Sequence, residues 1–284
     1  MKKTVIKKGE LDVLFRPRSV AVMGASSDEK KIGGRPIFYL KHYGFPGEIY
    51  PINPNYDEVQ GLKAYKSLAD VPGDVDLALI ALPSAMVEDA VTACAKKGVK
   101  ATVIFSSGFA ETGSEGEAAQ ARLLEIASAS GMRIMGPNCM GLAGFESRMI
   151  MTFGFSMEIK PPELGPIGIV SQSGAYGTVA YYEARDRQLG VSLWATTGNE
   201  SDIGLAEILE YYANDDAIKV VLLYMEGCKD GAGFMRGLEA ARAAGKPVIV
   251  TKVGASDIGA EAALSHTASI TGSDVIFDTV VEKY

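Results

Sequence analysis

Short apolar runs alternate with amphipathic stretches along most of the 284-residue chain, and this alternation restricts the fold more than any other feature. The first runs are Ser19–Gly24, Glu48–Asn53, Val75–Leu82, Ala101–Phe105 and Arg133–Gly136, with amphipathic segments near 34–44, 85–97 and 115–130 between them. Strand, helix and strand in steady alternation predict a parallel sheet wrapped by helices. Strands buried on both faces should be continuously apolar, as most of these are. Residues 144–165 lose the pattern, and Pro161-Pro162 with Gly165-Pro166 predict a linker. A second set follows, with strands at Ile167–Val170, Val191–Ala195, Val220–Tyr224 and Val248–Thr251. Helices are expected over 175–188, 203–213 and 232–244, and from about Ser273. The expected architecture is α/β in two units, residues 1–145 and 166–284, joined by a linker over 146–165. The stretch 254–272 has no clear period and is long for a connection, which predicts a functional loop.

Hydrophobic residues make up 47% of the chain and charged residues 22%, enough for a packed core. The formal net charge of -7 argues against nucleic acid or an anionic membrane as the main partner. Cys94, Cys139 and Cys228 form no C-x-x-C pair. Neither a disulfide framework nor a metal site is expected, and a reducing compartment is. Met1–Glu10 is lysine-rich without an apolar core, so it is no secretory signal. No apolar run approaches the ~20 residues of a membrane helix. A soluble, cytoplasmic protein is expected.

The turn after the first run, Gly24-Ala-Ser-Ser-Asp-Glu-Lys-Lys-Ile-Gly33, is rich in small residues. Such residues let backbone N–H groups approach a diphosphate at a helix start. The G-x-G-x-x-G spacing is absent, and the second strand ends in Pro51-Ile-Asn-Pro54 rather than an acid. An acid there would serve the ribose hydroxyls of a dinucleotide. Asn53 instead tolerates a ribose that carries a phosphate. Leu82-Pro-Ser84, Ser106-Ser-Gly108 and Gly136-Pro-Asn-Cys139 follow other strands. All fall where open α/β sheets bind ligands, although any one of them could simply end a strand.

In the second unit, Ser171-Gln-Ser-Gly174 and Thr197-Gly-Asn-Glu-Ser-Asp202 each precede a helix. Two helix N-termini on one sheet edge could hold one phosphate. Glu226 ends the third strand, and His266 stands in Leu264-Ser-His-Thr-Ala-Ser-Ile-Thr-Gly272. His42, in a helical stretch, is expected at the surface. A lone loop histidine is as a rule a solvated side chain, but these loops favour a nucleophile that accepts a phosphoryl group. A carboxylate such as Glu226 would fix its tautomer.

Gly136-Pro-Asn-Cys-Met-Gly141, Gly168-Ile-Val-Ser-Gln-Ser-Gly174 and Leu264-Ser-His-Thr-Ala-Ser269, in this order and spacing, resemble motifs of the nucleoside-diphosphate-forming acyl-CoA synthetases, the succinyl-CoA synthetase alpha subunit among them. The resemblance covers essentially the whole chain. It implies a Rossmann-like CoA-binding domain followed by a flavodoxin-like parallel α/β ligase domain. It makes His266 the phosphorylated histidine and Glu226 the acid that orients it. Ser171, Gln172, Ser173 and Gly174, with Gly198 and Asn199, become the phosphate-binding loops. Gly24, Ser26, Ser27 and Asn53, then Ser84, Ser106, Ser107 and Asn138, fall on the CoA turns. The implied reaction interconverts a carboxylic acid, CoA and ATP with acyl-CoA, ADP and phosphate, through acyl phosphate and phosphohistidine.

The resemblance further implies ATP/ADP with Mg2+ on an ATP-grasp domain or beta-type subunit, and an oligomer. No ATP-grasp segment lies within these residues, and Asp278–Tyr284 stops inside a helical pattern, so the chain is expected to be a fragment or one subunit. Many relatives carry a lysine where this chain has Asn55; Lys30, Lys31 or Arg35 could compensate. Phe153, Phe155 and Tyr176 are candidates to line an acyl pocket at the domain junction. Two alternatives stand beside this reading. One is a non-catalytic module that binds CoA or senses acyl-CoA. The other, an NAD-dependent oxidoreductase, is weakened by the missing acid after the second strand.

Overall fold

A computed structural model describes residues 10–157, 163–253 and 274–283. One helical turn, α1 (Asp12–Phe15), leads into β1 (Ser19–Met23). Helix α2 (Arg35–His42) then connects to β2 (Glu48–Ile52). A short hairpin follows, β3 (Glu58–Val59) and β4 (Leu62–Lys63), which the apolar pattern does not announce. Strands β5 (Leu77–Ile80), β6 (Ala101–Ile104) and β7 (Arg133–Met135) alternate with α3 (Val87–Lys97) and α4 (Ser114–Ser130). The five long strands form one parallel sheet in the order β2-β1-β5-β6-β7. Every residue of β1, β5 and β6 is buried, so both faces are covered, as their unbroken apolar runs require. Helix α3 starts with Glu88 and Asp89 and ends with Lys96 and Lys97, charges that complement its dipole, before Gly98 stops it at φ 77°.

The second sheet comprises β8 (Gly141–Gly144), β9 (Met149–Thr152), β10 (Ile167–Ser171), β11 (Val191–Thr196), β12 (Val220–Met225) and β13 (Val248–Lys252). Its order is β13-β12-β10-β11-β8-β9, with β10 to β13 parallel and β8–β9 an antiparallel edge. Helices α5 (Gly174–Asp186), α6 (Leu205–Ala213), α7 (Gly231–Ala243) and α8 (Asp274–Lys283) complete it. The predicted strands and helices of both units are present. The segment 146–165, expected to be a linker, instead contains β9, and Gly141–Gly144, expected in the first unit, pairs with β11 of the second sheet. All eight residues of this hairpin are buried, so it is part of the second sheet's core rather than a connection.

Both sheets are wound in the same way. In each parallel set the first strand is central, the second lies on one side of it, and the third crosses back to the other. The reversal between first and third strands opens a crevice at their carboxyl ends, where such sheets bind ligands. In the first sheet this point lies between β1 and β5, and in the second between β10 and β12.

The two units share one hydrophobic core that includes Phe15, Phe105, Leu142, Ile208 and Tyr212. Polar ties flank it. Arg133 donates to Asp202 at 2.8 and 3.1 Å and to Glu207 at 2.7 Å, while Ile134 N donates to Asp202 at 2.9 Å. Arg16 donates to Asp215 at 2.8 Å and to the Tyr211 hydroxyl at 2.7 Å. Among the described residues no helix is long and apolar enough to cross a membrane.

Candidate active site at the domain junction

The first sheet gathers most of the predicted cofactor residues at its carboxyl edge. Gly24 ends β1 at φ 86°, and a Cβ there would lie 2.3 Å from Ala81 O, so the turn needs glycine to pass β5 closely. Gly24 N and Ala25 N both donate to Ile52 O, at 3.1 and 3.2 Å. Asn53 donates to Ala25 O at 2.7 Å and accepts from Asn55 N at 2.9 Å, so its side chain braces the turn. Gln60, which the sequence does not single out, donates to Ser26 O at 3.0 Å and Gly34 O at 2.9 Å. The Ser26 hydroxyl accepts from Asp28 N at 3.1 Å, and Ser106 donates to Leu82 O at 2.5 Å. Ser27, Ser84 and Ser107 are exposed along the same edge. These hydroxyls, beside a close-packed glycine turn that opens α2, fit the phosphates of a nucleotide-like cofactor.

The second sheet supplies the predicted phosphate loops. The Ser171 hydroxyl donates to Ser173 O at 2.6 Å, and the Ser173 hydroxyl caps α5 by accepting from Tyr176 N at 3.3 Å. The Gln172 side chain spans the winding reversal. It donates to Gly227 O at 2.7 Å and accepts from Glu226 N at 2.5 Å and Gly227 N at 3.0 Å. Gln172 therefore fixes the end of β10 to the end of β12 and places Glu226, which is 6% exposed. Gly198 stands at φ 58°, and a Cβ there would lie 2.4 Å from Pro137 O and 2.5 Å from Asn138 O. Asn199 donates from its backbone to Pro137 O at 2.9 Å. Glu200 also holds a positive φ, 50°, and accepts from Thr197 Oγ1 and Leu205 N, both at 2.8 Å, at the start of α6. Burial raises the Glu200 carboxyl above the usual carboxylate range, against these opposing hydrogen bonds.

The two edges meet in a cavity of about 240 Å³. Gln172, Ser173, Gly174, Gly198 and Asn199 form its polar wall, and the start of α5 opens into it. Glu226, Glu200 and Lys229 add two carboxylates and a cation. Lys229 is held there by donating to Asn199 O at 2.6 Å. Phe105, Met140 and Phe153 also line it. Asn138, expected among the CoA turns, lines this cleft and donates to Asn199 Oδ1 at 3.3 Å, because the turn after β7 packs on the loop after β11. Of the expected acyl-pocket residues, Phe153 lines the cleft. Phe155 is 63% exposed, and Tyr176 stacks on Tyr224 at 3.9 Å in a separate hollow beside Ile249 and Thr251. His42 is exposed, as expected. His266 and its loop lie outside the described residues.

Glu200 and Lys229 line the cleft, and Glu111 bonds Asn199 beside it; sequence reasoning named none of the three among the site residues. Glu111 follows the Ser106-Ser-Gly108 turn by a few residues, and Lys229 follows Glu226 by three, which was the available signal. The arrangement joins an anion-binding helix start, a cation and a buried carboxylate, suited to holding a phosphoryl group near a group that must be oriented.

Residues 18–144 match a family model described as a CoA binding domain, and residues 164–284 match one described as a succinyl-CoA ligase like flavodoxin domain. The chain is 42% identical over 275 residues to the acetate–CoA ligase [ADP-forming] II subunit alpha of Pyrococcus furiosus, covering 96% of this chain and 58% of that protein. It is 38% identical over 275 residues to trans-feruloyl-CoA synthase FCS1 of an unknown prokaryotic organism, covering 96% of this chain and 39% of the relative. A solved structure of dinucleotide forming acetyl-coenzyme A synthetase 1 of Ca. Korarchaeum cryptofilum, in complex with phosphate and ADP, superposes with a TM-score of 0.90 at 37% identity. That match covers 96% of this chain and 58% of the other. The chain thus spans only 39% to 58% of the length of these relatives. With both domains in the same order and relatives along nearly its whole length, the chain belongs to the nucleoside-diphosphate-forming acyl-CoA synthetase family.

Proposed function

We propose that this chain is the CoA-binding and phosphohistidine-bearing part of an acyl-CoA ligase, which interconverts a carboxylic acid, CoA and ATP with acyl-CoA, ADP and phosphate. The observation that carries the reading is the meeting of the two strand-end clusters in one cleft, with Asn138 of one bonded to Asn199 of the other. CoA lies along the carboxyl edge of the first sheet, its diphosphate near Ser26 and Ser27, and its thiol reaches the cleft. In the synthetic direction a carboxylate oxygen attacks the phosphorus of phosphorylated His266, the P–N bond breaks, and acyl phosphate forms. The CoA sulfur then attacks the acyl carbon, the C–O bond to phosphate breaks, and the thiol proton is lost. The start of α5 and Lys229 hold the released phosphate. Glu226, fixed by Gln172, orients the imidazole so that the correct nitrogen is the nucleophile.

Rephosphorylation of His266 requires a nucleotide. ATP with Mg2+ belongs on an ATP-grasp domain or beta-type subunit, in keeping with a chain that spans 58% of a relative named subunit alpha. The surroundings are those of a reducing cytoplasm, in which Cys94, Cys139 and Cys228 remain free thiols.

Two measurements test the reading. Calorimetry with CoA and with NAD should give heat for CoA; heat for NAD alone overturns the cofactor assignment. Labelling from radioactive acyl phosphate, or from ATP plus an ATP-grasp subunit, should be acid-labile and vanish in His266→Ala. Full labelling of that variant would put the carrier elsewhere and leave a CoA-binding module as the better reading.

A further inference from the structure

The Asn199 side chain is spent on the first domain. Its Nδ2 donates to Glu111 Oε2 at 2.5 Å and to Gln120 Oε1 at 3.1 Å, and its Oδ1 accepts from Asn138 Nδ2 at 3.3 Å. A carboxylate can only accept, so the bond to Glu111 fixes which end of the amide is nitrogen. The backbone N–H of Asn199 donates to Pro137 O at 2.9 Å. All three N–H groups of the residue are therefore taken, and none remains for a phosphate in the cleft that Asn199 lines. Its carbonyl oxygen accepts from Lys229 Nζ at 2.6 Å. Among the described residues that line the cleft, Lys229 is the one cation.

Glu111 extends this series of bonds into the first domain. Its other oxygen, Oε1, accepts from Gly108 N at 2.5 Å. Gly108 closes the Ser106-Ser107-Gly108 turn at φ 99°, and a Cβ there would lie 3.2 Å from Ser84 Oγ, so the turn rests against a second hydroxyl of the same sheet edge. A continuous path runs from Gly108 N–H through the Glu111 carboxylate and Asn199 to the Lys229 ammonium. Lys229 is exposed, and an anion that recruits a long side chain must first order it. A neighbour that is already fixed lowers that cost.

Resting on the ligase reading, we propose that Asn199 is a positioning residue rather than a phosphate ligand, and that Glu111 and Asn199 link the Ser106–Gly108 turn to Lys229, so that CoA and phosphate each tighten the binding of the other. CoA on the first sheet's edge steadies the turn, the turn steadies Glu111 and Asn199, and these hold the ammonium where the anion meets it. The effect is reciprocal, because a coupling free energy between two ligands acts equally on both.

Calorimetric titration of the chain with inorganic phosphate, with and without saturating CoA, tests this. CoA should tighten phosphate binding about fivefold or more, and phosphate should tighten CoA binding by the same factor. Glu111→Gln turns one acceptor into a donor and cannot serve both Gly108 and Asn199. It and Asn199→Ala should each reduce the factor below about twofold, with CoA affinity measured without phosphate kept within about threefold as a control for folding. Lys229→Met should weaken phosphate about tenfold and remove the coupling. Adding Asn199→Ala to Lys229→Met should weaken phosphate no further, since a residue that acts through the lysine has nothing left to act on. A wild-type factor near one, a factor unchanged in both Glu111→Gln and Asn199→Ala, or additive losses in the double variant would overturn the proposal. Lys229 is exposed, so its variant decides the matter even where the others fail to fold: coupling retained without the ammonium overturns the proposal. Failure of the wild-type chain to bind CoA or phosphate at all would instead overturn the ligase reading beneath it.

Discussion

Asn199 Nδ2 donates to Glu111 Oε2 at 2.5 Å, and this contact ties the loop after β11 in the second domain to the segment after β6 in the first. The other carboxylate oxygen of Glu111 accepts from Gly108 N, also at 2.5 Å. Burial raises the Glu111 carboxyl, but these hydrogen bonds prevail and hold it below the ordinary carboxylate value. Glu111→Ala should cost about 1–3 kcal/mol, since it leaves two donors short of a partner. Glu111→Gln, which keeps an acceptor for Gly108, should cost less. Urea unfolding of the two variants beside the wild type measures the difference.

Gly198→Ala should be worse than an ordinary loop substitution. Its φ of 58° is unfavourable to a side chain, and the added Cβ would strike the carbonyls of Pro137 and Asn138 at 2.4 and 2.5 Å. A loss of about 2 kcal/mol or more in stability is expected, together with slower phosphoryl labelling of the chain. Affinity for CoA should stay within a few-fold, because the cofactor turns are elsewhere. A CoA affinity that collapsed while labelling persisted would contradict this division of labour.

Acid should weaken the first domain through Asp76. This buried carboxylate accepts from Arg18 N at 2.9 Å, Arg18 Nε at 3.1 Å and Lys100 Nζ at 2.7 Å. Burial pushes its pKa up, but the hydrogen bonds from Arg18 and Lys100 prevail and hold it at about 2, against an ordinary 3.8. The folded value lies below the unfolded one, so the contribution is complete above about pH 4 and is lost as pH falls toward 2. It should amount to about 1–2 kcal/mol, reduced because Arg18 and Lys100 are themselves largely exposed. Asp76→Asn should remove that part of the stability–pH curve, and an unchanged difference between wild type and variant from pH 5 to pH 2 would refute it.

If Glu226 has the orienting role proposed for it, Glu226→Gln should slow phosphoryl labelling by about 10- to 100-fold without abolishing it. CoA affinity should not change. Rapid-quench labelling of the variant distinguishes slower from absent transfer.

A thiol reagent at neutral pH should modify Cys228 alone in the native protein. Cys228 is exposed, and although burial raises its thiol too, burial pushes the Cys94 and Cys139 thiols up to about 12 and shields them from the reagent. Mass spectrometry before and after denaturation reads the count, and native modification of Cys94 or Cys139 would show that the core opens more readily than its packing suggests.

The parallel strands were legible because burial on both faces forces continuous apolar runs, as in Leu77–Ile80 and Ile167–Ser171. The β8–β9 hairpin was not. Gly141-Leu-Ala-Gly144 has weak strand character, and only its pairing with Leu193–Ala195, some fifty residues later, makes it a strand. The loops after β10 and β11 were readable as small polar residues between a strand and a helix. That Gln172 braces the backbone, and that Asn138 faces Asn199, depends on contacts between distant segments with no local signature. The place of Tyr176 was hidden for a related reason: its helix position does not reveal that its ring stacks on Tyr224 in a separate hollow.

The close approach at Gly198 has a consequence for how such a protein diversifies. At the floor of the cleft, main chain meets main chain, Asn199 N on Pro137 O, with no side chain between them. The spacing between the two strand-end clusters is therefore set by backbone, while Phe105, Met140 and Phe153 bring side chains to the cleft. A lineage could exchange one or two of those side chains and leave the spacing of the two clusters untouched.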